Sequence, residues 1–208
     1  MSNLKKILTS KKNCKSVWFM RQAGRYLPEF RKIRLENDNF IELCLNSEIS
    51  SEITLQPIKR FDLDSAIIFS DILLVPHALG QNVKFIKDEG PILDEFNLKT
   101  FLNNDKITFT QKLHPVYKAI ELTRKKLDKK KTLISFIGAP WTLLVYMLGA
   151  KENKNQLNIK KIKSKEFEVN LVLDKLNDYL CTHIENQINA GADVVQVFDS
   201  WAGLIPQT

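Results

Sequence analysis

Ala66-Ile-Ile-Phe-Ser-Asp-Ile-Leu73 decides the fold class. Ala66–Ser70 is an apolar run of buried-strand length that does not alternate with polar residues, as expected for a parallel strand covered on both faces. A carboxylate, Asp71, follows it at once. Three other runs share the design: Ser16–Met20 (SVWFM), Leu133–Gly138 (LISFIG) and Val194–Phe198 (VVQVF). Helical patterns lie between them. Ser47–Arg60 opens with Ser47 as candidate cap, and Pro57 is expected to kink or shorten it. Pro115–Leu127 begins with proline in its first turn and sets Val116, Ala119, Ile120, Thr123 and Leu127 on one face. Asn170–Asn189 sets Leu173, Leu176, Leu180, Ile184 and Ile188 on one face, and Ala190-Gly-Ala-Asp193 reads as its C-cap and turn. Val83–Ile92 reads as a small hairpin.

Strand and helix alternate, which points to an α/β domain with parallel strands and right-handed crossovers. A (β/α)8 TIM barrel takes about 250 residues. These 208 residues supply four recognisable strands, and Asp199–Thr208 reads as an exit from the fourth. The expectation is therefore an α/β fold of TIM-barrel type. Residues 1–208 would be the N-terminal half of one domain, about its first four βα units, as a fragment or a truncated product. No GxGxxG follows the first strand and no GxxxxGK[ST] occurs, which disfavours dinucleotide and P-loop sites.

Composition narrows the function classes. The chain is 44% hydrophobic and 26% charged, ordinary for a globular protein. No apolar stretch approaches the ~18–20 residues needed to span a membrane, and MSNLKKILTSKKN lacks an apolar signal core. The expected location is cytoplasmic. Cys14, Cys44 and Cys181 show neither disulfide nor zinc spacing, and His77, His114 and His183 are dispersed. His77 reads as a loop residue without a role. The net charge of +7 is concentrated in Arg124–Lys131 and Lys151–Lys165. These runs lack interleaved aromatics, so solvated basic faces are expected, not a nucleic-acid interface.

The unusual polar residues follow the strands. Arg21 and Arg25 flank Gly24 after the first, Asp71 follows the second, Gly138–Met147 follows the third, and Asp199, Ser200 and Gly203 follow the fourth. In a parallel barrel all four places fall on the C-terminal rim, where active sites are built. Two arginine forks suit a ligand with several carboxylates. Each residue also has a purely structural reading. Arg21 and Arg25 would pair with Glu29, Asp71 would cap the next helix, Tyr146 would pack, and Asp199 and Ser200 would serve as caps.

Five segments carry a resemblance: Met20-Arg-Gln-Ala-Gly-Arg-Tyr-Leu-Pro-Glu-Phe30, Leu55-Gln-Pro-Ile-Lys-Arg-Phe61, Ala66–Leu73, Gly138-Ala-Pro-Trp-Thr142 and Phe198-Asp-Ser-Trp-Ala-Gly203. In this order, over nearly the whole chain, they resemble the uroporphyrinogen decarboxylase family. The resemblance implies a (β/α)8 barrel without cofactor or metal, usually a homodimer. Its activity would be that of a carboxy-lyase of haem biosynthesis, converting the four acetates of uroporphyrinogen III to the methyls of coproporphyrinogen III. It implies Arg21, Gln22, Ala23, Gly24, Arg25, Asp71, Tyr146, Phe198 and Ser200 as substrate-binding residues. Asp71 would face the pyrrole N–H groups as transition-state stabiliser, and Arg21 would assist. A later substrate-contacting histidine of the family has no counterpart in this chain. Two other readings stand beside it. One is a corrinoid-linked methyltransferase of the same superfamily, which would need a zinc-binding Cys/His cluster that the sequence does not show. The other is a catalytically incomplete half-barrel that associates through open sheet edges.

Overall fold

The structure is a computed structural model that describes residues 3–10, 14–86, 89–153, 156–163 and 166–205. Its elements run α1 (Asn3–Ser10), α2 (Pro28–Glu36), α3 (Phe40–Cys44), α4 (Ser47–Arg60), β1 (Ser65–Ile67), α5 (Leu74–Ala78), β2 (Val83–Ile86), β3 (Gly90–Leu93), α6 (Leu98–Leu102), α7 (Lys106–Lys126), β4 (Thr132–Gly138), α8 (Pro140–Met147), β5 (Lys151–Asn153), β6 (Gln156–Leu157), α9 (Ile159–Lys163), α10 (Glu166–Asn189) and β7 (Val194–Phe198), and a 3-10 turn at Ala202–Leu204 follows. The central sheet has the order β1-β4-β7. β1 runs parallel to β4 with Ser65 opposite Thr132 and Ile67 opposite Ile134. The fold class is therefore the expected one, α/β with a parallel sheet, as in part of a TIM barrel.

The chain divides into two compact units, residues 1–71, 114–136 and 184–196, and residues 72–113, 137–183 and 197–208. In the first, one apolar cluster joins Leu27, Phe30, Leu43 and Ile53, with Ala23, Ile33, Ile49 and Phe69 packed on it. Phe30 and Phe40 both present edges to Phe69, at 5.7 and 5.8 Å between centroids. Asp193, just before β7, accepts from Lys5 (3.0 Å), Arg124 (2.9 Å) and the Leu133 amide (3.0 Å). It thereby ties α1, α7 and β4 together. Gly191, at φ 109°, makes the turn that follows α10, in backbone space that glycine occupies without strain.

In the second unit, Phe109 stacks near Tyr179 (4.8 Å) and meets His183 edge-on (6.2 Å). Burial pushes the His183 imidazole down to about 3, so it is a neutral core residue. The expected hairpin is β2–β3, paired from Val83↔Leu93 to Ile86↔Gly90, and residues 87 and 88 lie outside the described residues.

Five expectations are corrected. Ser16–Met20 forms no strand. Val17 makes a single pairing, its amide to the Asp64 carboxylate (2.7 Å) and its carbonyl to the Asp64 amide (3.0 Å), and Phe19 stays 60% exposed. One pairing with mostly exposed side chains does not stabilise a strand. Pro115 lies inside α7, which begins nine residues earlier because the Asp105 carboxylate caps the Ile107 and Thr108 amides. The cap of α4 is Asn46, and the helix continues past Pro57 to Arg60. Ser47 instead donates to the Pro115 carbonyl at 2.9 Å. The buried stripe of α10 includes Val169, Val172, Leu176, Tyr179 and Leu180, whereas Ile188 is exposed. His77 belongs to α5 and not to a loop.

Candidate active site

In the first unit the arginine segment is a loop between the irregular segment 14–19 and α2. Pro28 at the first helical position and the Leu27 amide, bonded to the Gly24 carbonyl at 3.0 Å, close it. Leu27 and Phe30 anchor it in the apolar cluster. Gln22 is only 3% exposed. Its Oε1 accepts from the Phe19 amide at 3.1 Å, and its buried Nε2 has no partner among the described residues. The Tyr26 hydroxyl donates to the Gln22 carbonyl, and Arg31 donates to the Arg25 carbonyl at 2.8 Å. Arg21 and Arg25 are exposed. A cavity of about 370 Å³ is lined by Phe19, Arg21, Gln22, Tyr26, Phe61 and Leu63. It brings Arg21 and Gln22 together, but neither Arg25 nor Asp71 lines it.

The ion-pair reading of the two arginines fails. Glu29 is held in bidentate fashion by Arg60, Nε at 2.7 Å and the second fork nitrogen at 2.9 Å. Hydrogen bonding from Arg60 holds its carboxyl below the usual range. Neither Arg21 nor Arg25 enters an ion pair among the described residues.

Asp71 lies half-buried between β1 and α5. The capping position of α5 is Leu73, two residues beyond Asp71. The strand leading to it is fixed by the Ile68 amide on the Ile134 carbonyl (2.9 Å) and the Phe69 amide on Thr54 Oγ1 (2.8 Å). Cys44 is near enough to feel the carboxylate. Burial pushes its thiol well up, Asp71 adds to this, and Arg34 opposes.

In the second unit, Gly138 ends β4 where a Cβ would meet Leu143 Cδ2 at 2.8 Å and Ile72 Cβ at 3.1 Å, so a larger residue would force Leu143 and Ile72 to shift. The Ala139 amide bonds to the Phe198 carbonyl at 2.8 Å. Thr142 Oγ1 donates to Asp199 Oδ1 (2.7 Å) and accepts from the Trp201 amide (3.2 Å). Trp141 Nε1 donates to the Trp201 carbonyl at 3.0 Å. The Tyr146 ring stands edge-on to Trp201, with 6.3 Å between centroids. Phe198 and Asp199 thus enter one hydrogen-bonded assembly, the Tyr146 ring packs on its Trp201, and Ser200 is exposed on the turn between them. Asp199 is a partner of Thr142 and not a simple cap. Sequence reasoning gave Thr142, Trp201 and Thr54 no role. Thr142 and Trp201 sit inside quoted motifs, which was the available signal, whereas nothing local marked Thr54.

Among the described residues no three His, Cys, Asp or Glu side chains are grouped to hold a metal ion. Also among the described residues, no helix is long and apolar enough to cross a membrane.

Residues 6–208 match the family model described as uroporphyrinogen decarboxylase. A curated uroporphyrinogen decarboxylase of Orientia tsutsugamushi is 48% identical over 201 residues, which cover 95% of this chain and 58% of that protein. Those of Campylobacter jejuni and Rickettsia bellii are 44% and 43% identical, covering 91% and 92% of this chain and 56% of each relative. The chain thus spans somewhat over half the length of these relatives. A methyltransferase from Methanosarcina mazei is similar in structure, with a TM-score of 0.71 at 15% identity over 96% of this chain and 59% of that one. At that identity the likeness shows the fold alone.

Proposed function

The chain belongs to the uroporphyrinogen decarboxylase family, and from that premise we propose that it forms the N-terminal part of a single (β/α)8 domain that decarboxylates the four acetates of uroporphyrinogen III. The observation that carries this reading is the packing, within the first unit, of the family segment that bears the arginines against the one that leads to Asp71. Ala23, Leu27 and Phe30 of the arginine loop and Phe69 of the Asp71 strand meet in one apolar cluster. The first unit then carries both the carboxylate-binding forks and the central carboxylate.

The chemistry follows from the substrate. A proton added to a pyrrole ring carbon makes the ring a cationic electron sink. The bond from the acetate methylene to its carboxylate breaks, its electron pair flows into the ring, and CO2 leaves. Reprotonation of the exocyclic carbon and loss of the ring proton give the methyl group. The ring is its own sink, so the reaction requires no cofactor. Asp71 accepts the pyrrole N–H groups and stabilises the cation where it develops. Arg21 and Arg25 grip peripheral carboxylates in bidentate fashion, with Gln22, Ala23 and Gly24 of the same loop alongside. Tyr146, Phe198 and Ser200 contact the substrate from the second assembly. Arg21 assists by its permanent charge, and the proton comes from water or from a substrate carboxyl. The working form is a cytoplasmic homodimer of the complete barrel.

The test uses the polypeptide that carries this chain with the rest of its barrel. Asp71→Asn should lower kcat by about 10²–10³-fold without unfolding the protein. Turnover close to wild type would remove Asp71 from the mechanism.

A further inference from the structure

We propose that Thr54, on α4, is the positioning residue for the Asp71 carboxylate. Its importance for turnover rests on the reading of Asp71 above, but its effect on Asp71 can be tested without that reading.

β1 ends at Ile67, and the Ile68 amide makes the last bond to β4. The next amide, that of Phe69, has no strand to pair with. It donates to Thr54 Oγ1 at 2.8 Å. The Thr54 hydroxyl proton is committed elsewhere, to the Ser50 carbonyl at 2.7 Å. Ser50 Oγ in turn reaches the Leu43 carbonyl (3.2 Å) and the Cys44 carbonyl (3.1 Å) at the end of α3. Ser50 and Thr54 are both buried, so these groups have no water to fall back on. The result is a buried relay: α3 carbonyls, Ser50, Thr54, the Phe69 amide. It fixes the backbone two residues before Asp71 from one side. The Phe69 ring, held edge-on by Phe30 and Phe40, fixes it from the other.

Threonine suits this place better than its neighbours in size. Valine has the same shape but leaves the Phe69 amide without an acceptor. Serine keeps the hydroxyl and loses a methyl. The relay also starts at Cys44, the titratable group that feels Asp71. Cys44 stays protonated, because burial and Asp71 both raise its thiol and Arg34 of α2 opposes them only in part. A titration of Asp71 is therefore not obscured by that neighbour.

The experiment follows the Asp71 carboxyl carbon by NMR through a pH titration of this chain, with amide hydrogen exchange at Phe69 and the melting temperature measured alongside. Thr54→Val should speed exchange at Phe69 by about tenfold, the loss expected for one buried hydrogen bond. It should also move the Asp71 midpoint by about half a pH unit or more, the size set by changed hydrogen bonding near a carboxylate. Thr54→Ser should return both to the wild-type values, even if it melts lower. If Thr54→Val does not fold, Thr54→Ala removes the same acceptor without the apolar methyl and must give the same two displacements. An Asp71 midpoint unmoved while Phe69 exchange rises would overturn the proposal, and so would a midpoint moved equally by the serine variant. The functional reading fails separately: full turnover by Asp71→Asn would end it while leaving the displaced midpoint intact.

Discussion

The arginine loop and the Asp199 turn carry candidate residues of one reaction, yet they are held by different forces. The loop is anchored by apolar packing: Leu27 and Phe30 sink into the cluster with Leu43 and Ile53, while its polar tips stay in solvent. The Asp199 turn is held mainly by directional bonds, Thr142 to Asp199, Trp201 to Thr142 and Trp141 to Trp201. Packing tolerates small displacements and gives the larger energy. Hydrogen bonds give less net energy but fix angles. The difference would suit the two proposed tasks, gathering flexible carboxylates and holding a ring wall in place.

The comparison breaks most readily at Phe30. Phe30→Ala should destabilise the chain by about 3–5 kcal/mol, as for a buried aromatic removed from a packed core, measured by denaturant unfolding. A loss under about 1 kcal/mol would mean that the loop is not anchored by packing. Thr142→Val is the matching test of the turn. It should cost about 1–3 kcal/mol and change the Trp201 fluorescence, because the Trp201 amide loses its acceptor. Unchanged fluorescence would show that the turn does not depend on Thr142. The smallest effect is expected at Asn46→Ala. Loss of the α4 cap on the Ile49 amide should cost about 1 kcal/mol, visible in the melting temperature. A larger loss than at Thr142 would reverse the ranking of local against long-range bonds.

The sequence disclosed elements whose signal was local. Val194–Phe198 matches β7 residue for residue, and Leu133–Gly138 is β4 less one residue. The β2–β3 hairpin stands where Val83–Ile92 read as one. What was illegible depended on partners far along the chain. SVWFM has strand composition, but one pairing with Asp64 does not extend into a ladder. Pro115 read as a helix start because the capping strength of Asp105, ten residues earlier, was overlooked. In the site, the residues themselves stood out by chemistry, Arg21, Arg25 and Asp71 among them, but their supports did not. Thr54 and Phe69 are 15 residues apart in sequence, and the Thr142 and Asp199 side chains are 57 apart. No periodicity reports such pairings.

The Glu29–Arg60 pair has one more consequence. Glu29 is spent on Arg60 in bidentate fashion, and among the described residues the two arginine charges on the short loop, Arg21 and Arg25, enter no ion pair. In water at about 0.15 M salt, such a field decays over about 8 Å. An approaching anion is then sensed only across the last few solvent layers. Dilution of the salt extends that reach, so the range over which this loop attracts an anion is set by the ionic strength of the medium.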